Sequence, residues 1–220
     1  MPLPAGTWLF TRLAVACLRD AVLFASLVSL TLYATAPASF RLEDVDQIAV
    51  SKLQEVVDHT SDYGIVSIEI NSLGGNAYEL ARLISVVEAG HDRKLLFVCT
   101  VHGLAASAAA IFFVAGCDTR RMLDSGKLLF HAARIVQRVH PLFNGVMLPP
   151  TPEELHDLDV INTVLEGFVT EFSKISIEEY RAQIHKGDWL LTAKEAKELG
   201  MADEVFTSRP LALNIYVPVT

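Results

Sequence analysis

Cysteine is scarce in this sequence of 220 residues, and the three cysteines form no CxxC pair. Cys17, Cys99 and Cys117 lie in mostly apolar surroundings, which predicts reduced, buried thiols. Reduced thiols favour the cytoplasm over an oxidising compartment. Because the closely spaced cysteine pairs of zinc sites are missing, we also predict no metal bound by cysteine.

Positively charged residues are also few in this sequence. The chain has 18 Lys and Arg against 26 Asp and Glu, a net charge of −8, and no basic block longer than two residues. This balance argues against a nucleic-acid partner. Internal repeats and low-complexity segments are also missing, so the length indicates one substantial domain rather than an array.

Charge is absent from a stretch near the N-terminus. Residues 21–40 carry no charged side chain and are long enough to cross a bilayer. The small residues around Pro37 resemble a signal-peptide cleavage site. Against export, no Lys or Arg precedes Arg12, and an Arg-Asp pair at Arg19 interrupts the apolar region.

Two interpretations of this end remain open. Residues 29–33 alternate polar and apolar side chains, as a half-buried strand does. We therefore predict an apolar extension over 1–27, a folded domain over 28–220 and a cytoplasmic protein. The alternative is a chain anchored to a membrane, or exported, through residues 1–38.

The rest of the chain alternates strands and helices, often with glycine at the strand exits, which predicts an α/β domain. We expect strands over 65–70, 94–101, 120–123, 127–131 and 203–206. We expect helices over 43–58, with Glu43, Asp44 and Asp46 in the first turn, and over 77–90, 107–116 and 151–174. Two more are expected from Ser176 onward and, with "WLLTA" as the helix entry, from Thr192 to Gly200. A Thr or Ser three residues before Glu predicts a capping box at Thr151, Ser176 and Thr192. Residues 134–150 are expected to be irregular.

Five positions could together carry acyl-transfer chemistry, which needs a nucleophile, a base, a group orienting the base and donors for the oxyanion. Ser107 falls where a strand turns into a helix, and the backbone N–H of Ala108 follows it. Gly75 ends a turn after the preceding strand, where a residue without Cβ lets backbone approach a substrate. His131 ends a strand, and Asp188 lies in a loop position suited to holding an imidazole.

Each position taken alone also has an ordinary structural explanation, such as a packing serine or a turn glycine. Two alternative constellations exist. Lys127 could form a serine–lysine dyad, but we expect it in an exposed turn. His102 lies near Ser107 but precedes Gly103 at the strand exit, so the chain would have to reverse for it to reach the hydroxyl. Trp189 is expected to pack beside Asp188.

Taken together, four segments in this order resemble the proteolytic-subunit family of the Clp proteases: "INSLGG", "GLAASAAAIFFVAG", "LLFH" and "GDWLLTAKEAKELGMADEV". The resemblance covers about residues 28 to 206. It implies a ClpP/crotonase-like fold, a spiral of repeated ββα units. It implies the roles of nucleophile for Ser107, general base for His131, orienting carboxylate for Asp188, and backbone oxyanion donors for Gly75 and Ala108.

The family resemblance also implies a function. It predicts a serine endopeptidase that hydrolyses polypeptides through an acyl-enzyme and is assembled as a homo-oligomeric ring, with an AAA+ unfoldase as the implied partner. No metal or resident cofactor is implied, and ATP would enter only through the partner ATPase. The alternatives are a crotonase-type acyl-CoA enzyme and a catalytically inactive scaffold of the same fold.

The sequence departs from the family pattern at three places. Leu73 replaces the usual proline of the glycine turn, and Ala108 replaces the usual methionine after the nucleophile. His131 is followed by Ala-Ala-Arg rather than by a polar residue and proline. The second change leaves the backbone donor in place, so the predicted chemistry survives it.

Overall fold

The computed structural model describes residues 37–135 and 149–207, in which strands and helices alternate as predicted. The strands are β1 (Ala38–Leu42), β2 (Ile65–Ser72), β3 (Leu96–Ala106), β4 (Thr119–Leu123), β5 (Lys127–Phe130), β6 (Trp189–Thr192) and β7 (Glu204–Phe206). The helices are α1 (Gln47–His59), α2 (Ala77–Asp92), α3 (Ala108–Ala115), α4 (Pro152–Glu171), α5 (Ile177–Ile184) and α6 (Ala193–Glu198).

The described strands form one mixed sheet that is mostly parallel. The main path runs β1-β2-β3-β4-β7, and each neighbouring pair along it is parallel. β5 pairs in parallel with the end of β3, and β6 runs antiparallel to β5. This architecture agrees with the predicted ClpP/crotonase-like α/β fold. It brings the carboxyl ends of β2, β3 and β5 to neighbouring positions.

The core lies between this sheet and the helices. β2 alternates buried and exposed residues, whereas α3 buries seven of its eight residues and shows almost no amphipathicity. α3 is therefore covered on nearly all sides, as expected for an apolar helix in a core. Burial of large side chains holds the centre of the domain: Phe97, Phe112, Phe113, Phe130 and Tyr180 are fully buried or nearly so.

The buried carboxylate of Glu166 in α4 is part of this packing. Its Oε2 accepts a hydrogen bond of 2.7 Å from Nε of Arg181 in α5, so the charge is paired. Burial, and then the charge of Glu166, raise the pKa of the neighbouring Tyr180. This pair joins two helices of the C-terminal third of the domain.

Capping boxes start the last three helices, as the sequence predicted. Thr151, Ser176 and Thr192 each accept a hydrogen bond from the backbone of a glutamate three residues on, and the glutamate bonds back. Hydrogen bonds from the backbone and then the hydroxyl of Ser176 lower the pKa of Glu179. Thr192 lowers the pKa of Glu195 in the same way, with its hydroxyl contributing most.

The predicted start of the first helix was wrong. We expected it over 43–58, with Glu43 and Asp44 in its first turn, but α1 begins at Gln47. Asp46 sets this start because its Oδ1 accepts a hydrogen bond of 2.8 Å from Ala49 N. Residues 38–42, which precede Asp46, form β1. This strand was not predicted because its first three residues belong to the uncharged stretch over 21–40 and its last two follow that stretch.

Two predictions about strands were also wrong: the end of one strand, and the absence of another. Gly103 does not end β3, which continues to Ala106 because Leu104 donates to Asn71 Oδ1 at 3.1 Å and the following residues pair with β5. Residues 189–192 are not a helix entry but β6, held by pairing with β5. Such pairing joins segments about 60 residues apart, which local sequence patterns do not show.

The prediction of reduced thiols was wrong for two of the three cysteines. Cys99 in β3 and Cys117 after α3 form a disulfide, with Cα atoms 5.8 Å apart. α3 folds back along β3, so a separation of 18 residues becomes a contact. The thiol argument for a cytoplasmic location therefore no longer holds.

The predicted domain boundary at residues 27 and 28, the strand over 29–33 and the membrane or export segment lie largely outside the described residues and stay predictions. Ala38 and the described residues after it belong to one compact unit. Among the helices described here, none has the length and apolar character needed to span a bilayer.

Candidate active site

Ser107 occupies a sharp turn between β3 and α3. Its backbone has φ 55° and ψ −128°, a region that residues with a Cβ rarely adopt. Its N–H donates to Leu129 O at 2.7 Å, which ties the turn to the end of β5. Such strained positions cost of order 1–3 kcal/mol and persist where the surrounding structure fixes them. The turn places the hydroxyl at the N-terminal end of α3, where the helix dipole is positive.

The glycine turn after β2 approaches Ser107 closely. A Cβ added to Gly74 would lie 2.6 Å from Ser107 Cβ, so only glycine fits beside the serine. Gly75 has φ 152°, and a Cβ there would lie 2.3 Å from Val45 O. Val45 N donates to Gly74 O, and Asn76 N donates to Val45 O, both at 2.9 Å. These bonds fix the turn against the segment between β1 and α1.

Two backbone N–H groups beside Ser107 have no acceptor among the described residues. Val45 bonds to the backbone on either side of Gly75, at Gly74 and Asn76, and leaves the N–H of Gly75 without a partner. Ala108 is the first residue of α3, where an N–H has no acceptor within the helix. Gly75 and Ala108 line the same cavity as Ser107. Two such donors beside a hydroxyl are what an oxyanion hole requires.

His131 and Asp188 flank the pairing of β5 with β6. Phe130 pairs with Trp189 at the end of this antiparallel ladder, so His131 and Asp188 are the residues that leave and enter the sheet there. Asn162 of α4 holds the chain just after His131, because its Oδ1 accepts a hydrogen bond of 2.7 Å from Ala133 N.

The side chains of His131 and Asp188 have other partners in this structure. His131 Nδ1 lies 2.7 Å from Ala132 O. Because a carbonyl oxygen only accepts, Nδ1 carries the proton and Nε2 is left as the basic nitrogen. Asp188 Oδ1 accepts a hydrogen bond of 2.7 Å from Nη2 of Arg134. Among the described residues, no hydrogen bond joins Ser107 to His131 or His131 to Asp188.

A cavity of about 370 Å³ contains four of the five predicted residues. Its lining combines the glycine turn, the start of α3, the chain after β5 and one face of α4. The residues are Gly75, Asn76, Ala77, Tyr78, Ser107, Ala108, Ile111, His131, Ala133, Arg134, Ile135, Glu154, Asp157, Leu158, Ile161 and Leu165. Asp188 is not part of the lining but reaches it through Arg134.

The alternative partners for Ser107 lie elsewhere. Lys127 is the first residue of β5, not part of an exposed turn as expected, and it does not line the cavity. His102 lies on β3, is exposed and is also outside the lining. Trp189 packs against Phe130 and Tyr180, with ring centroids 5.7 Å and 6.0 Å apart. Within residues 37–135 and 149–207, no group of three metal-ligating side chains occurs.

Sequence reasoning missed Arg134 and Asn162. The Ala-Ala-Arg sequence after His131 was noted as a departure, but nothing in it indicated that the arginine would pair with Asp188. Asn162 lies within a helical pattern, where an asparagine is usually a surface residue. Both contacts join segments 29 to 54 residues apart along the chain.

Comparison with known proteins finds similarity to proteolytic subunits of Clp proteases. ATP-dependent Clp protease proteolytic subunit 2 of Corynebacterium jeikeium is 29% identical over 150 residues, 67% of this chain and 66% of that protein. Proteolytic subunit 1 of Thermobifida fusca is 29% identical over 171 residues, 76% of this chain and 70% of that protein. The proteolytic subunit of Bacteroides thetaiotaomicron is 29% identical over 151 residues.

The match covers just under two thirds of the Corynebacterium protein and 61% of the Bacteroides protein. A family model described as Clp protease matches residues 43–209, which include β2 to β7 and all the predicted site residues. The chain therefore belongs to the Clp protease family.

Proposed function

We propose that this protein is a serine endopeptidase that hydrolyses peptide bonds in unfolded proteins or peptides. Membership of the Clp protease family supports a peptidase. The observation that carries the serine mechanism is one cavity lined by Ser107, His131 and the backbone of Gly75 and Ala108. A packing serine would need neither the strained turn nor the two N–H groups beside it.

The proposed reaction starts with attack of Ser107 Oγ on the scissile carbonyl carbon. His131 Nε2 takes the hydroxyl proton, and the N–H groups of Gly75 and Ala108 donate to the oxyanion of the tetrahedral intermediate. The imidazolium then gives its proton to the leaving amine, and the C–N bond breaks to leave an acyl ester on Ser107. Water, deprotonated by His131, hydrolyses the ester and restores the serine.

Asp188 has the proposed role of orienting the imidazole and stabilising the imidazolium. Its position next to Trp189, which pairs with the residue before His131, supports this role. The carboxylate must turn from Arg134 to reach Nδ1, which now donates to Ala132 O.

We further propose that the protein works as a homo-oligomeric ring that receives polypeptide from an AAA+ unfoldase, with ATP used only by that partner. The names of the relatives, which describe proteolytic subunits of an ATP-dependent protease, support this assembly. Exposed apolar residues on α4 support it too: Val160 and Val164 are about half exposed in this chain. These two side chains lie one helical turn apart, so a neighbouring subunit in the proposed ring could cover both.

Peptide hydrolysis tests the proposed function. The full-length chain is separated by size, and each oligomeric fraction is assayed with short fluorogenic peptides. We expect turnover that Ser107→Ala reduces by several orders of magnitude. The control Ser125→Ala changes an exposed serine in the β4–β5 turn and should leave turnover unchanged. Equal turnover in the wild type and Ser107→Ala would refute the proposal.

The second candidate is a catalytically inactive scaffold of the same fold. One observation favours it, namely that Asp188 pairs with Arg134 rather than with His131. This candidate predicts no hydrolysis by the wild type in any oligomeric fraction, although the chain is folded and assembles normally.

A further inference from the structure

We infer that Arg134 is a positioning residue that limits catalysis by competing with His131 for the carboxylate of Asp188. The inference rests on the proposed serine peptidase function. It describes two arrangements of the same site. In the resting arrangement, seen here, Arg134 holds Asp188 and Ala132 O holds His131; in the working arrangement, Asp188 accepts from His131 and Arg134 is released.

The backbone places the three groups at one end of the β5–β6 pair. His131 follows Phe130 and Asp188 precedes Trp189, and these two neighbours form the last pair of the ladder. Asn162 holds the backbone of Ala133, so the strand exit is fixed on α4. The inference requires the side chains of His131, Arg134 and Asp188 to rotate at this end of the sheet, so that Asp188 exchanges one partner for the other.

The competition is between a cation and an imidazole for one acceptor. Arg134 follows His131 by three residues, and its guanidinium donates to Asp188 Oδ1 at 2.7 Å. While it does so, the proton on His131 Nδ1 points to Ala132 O, a neutral acceptor. A carboxylate stabilises the imidazolium formed during catalysis better than a neutral carbonyl does. The resting arrangement is therefore the slower one.

The strength of the ion pair between Arg134 and Asp188 follows from the exposure of the two side chains. The side chains of Arg134 and Asp188 are 67% and 54% exposed, and exposed ion pairs contribute little. Such a pair shifts an equilibrium by up to about fivefold. Salt weakens this ion pair because the Debye length falls from ~10 Å at an ionic strength of 0.1 M to ~3 Å at 1 M.

The test compares Arg134→Gln with Arg41→Gln in the full-length chain. Arg41 is a matched control: its side chain is also 67% exposed and paired with a glutamate, but it lies on β1 and does not line the cavity. We expect Arg134→Gln to raise kcat/KM for a short peptide by up to about fivefold, and Arg41→Gln to leave it unchanged. Raising NaCl from about 0.1 M to about 1 M should increase the wild-type rate more than that of Arg134→Gln.

A spectroscopic measurement separates positioning from a merely structural role. In the proton NMR spectrum, the Nδ1 proton of His131 should move downfield in Arg134→Gln, because its acceptor changes from a carbonyl to a carboxylate. The double variant Arg134→Gln/Asp188→Asn should lose both the downfield signal and the gain in rate. Neither change is expected if Arg134 only holds the loop.

Failure of this inference and failure of the proposed function would give different results. If hydrolysis depends on Ser107 but Arg134→Gln matches Arg41→Gln in rate, salt response and NMR signal, the inference is refuted and the proposed function stands. If no variant hydrolyses peptide, the proposed function fails; the NMR comparison then decides whether Arg134 still controls the partner of Asp188.

Discussion

The glycine turn offers the sharpest prediction, because a single methyl group at Gly75 affects backbone strain, packing and the proposed oxyanion donor. The backbone there has φ 152°, and the added Cβ would lie 2.3 Å from Val45 O and 2.9 Å from its carbonyl carbon. Both contacts are with backbone, which cannot rotate away as a side chain can. The turn and the Val45 segment must therefore separate.

The magnitude has two parts. Strain at a positive φ costs about 1 kcal/mol or more, and loss of one of the two 2.9 Å hydrogen bonds to Val45 costs about 1 kcal/mol. We expect Gly75→Ala to lower the free energy of unfolding by about 2–3 kcal/mol. Removing one oxyanion donor reduces turnover about 10²–10³-fold, so the reaction of folded enzyme should slow by a similar factor.

The assay combines urea unfolding with the rate at which a fluorophosphonate labels the folded protein. Gly200→Ala is the control for strain alone, with φ 72° and only the side chain of Lys174 nearby. It should lose about 1 kcal/mol of stability and label normally. Gly167→Ala, in α4 with nothing within 4 Å, should gain about 0.5–1 kcal/mol. If Gly75→Ala labels as fast as Gly200→Ala, Gly75 is not an oxyanion donor.

Three further predictions concern stability. Cys117→Ser opens a disulfide loop of 18 residues and should cost about 3 kcal/mol, seen as a lower thermal midpoint that reductant no longer changes. Arg181→Gln leaves the buried carboxylate of Glu166 without its charged donor and should cost about 2 kcal/mol, measured by urea unfolding. Burial raises the pKa of Asp203, but hydrogen bonds and charge from Arg120 outweigh it and lower the pKa below 3.8 overall. The stability from this pair is thus present above pH 3.8 and lost as pH falls below it, so the difference between wild type and Asp203→Asn should shrink in acid.

Local signals in the sequence predicted much of the fold. The three capping boxes were visible as Thr or Ser three residues before Glu, and each starts a helix in the structure. Strand β2 and helix α3 were predicted because β-branched residues and glycine positions are local features of the sequence. The ClpP/crotonase-like fold itself followed from the family resemblance rather than from these patterns.

The errors over β3, β6 and the cysteines share a physical cause, which is pairing between distant segments. β6 has only four residues and exists as a strand because it pairs with β5, so no local pattern distinguishes it from a helix entry. The disulfide depends on α3 folding back along β3. Burial of a cysteine was predictable from its neighbours, but its partner was not.

The candidate site shows the same difference between features that local sequence signals predict and contacts that depend on distant segments. The sequence order of the motifs indicated Ser107, His131, Gly75 and Ala108, and the cavity contains all four. The partner of Asp188 depends on side-chain rotation within a pair of exposed charges, a choice of small energy that no motif encodes. Arg134 could be identified only after β5 and β6 were placed side by side.

Identification of the residue that a fluorophosphonate modifies tests the central claim most directly. Intact-protein mass spectrometry should show one adduct on the wild-type chain, and peptide mapping should locate it on Ser107. Ser107→Ala should carry no adduct. An adduct on another residue, or the same extent of modification in Ser107→Ala, would contradict a nucleophilic serine at the turn between β3 and α3.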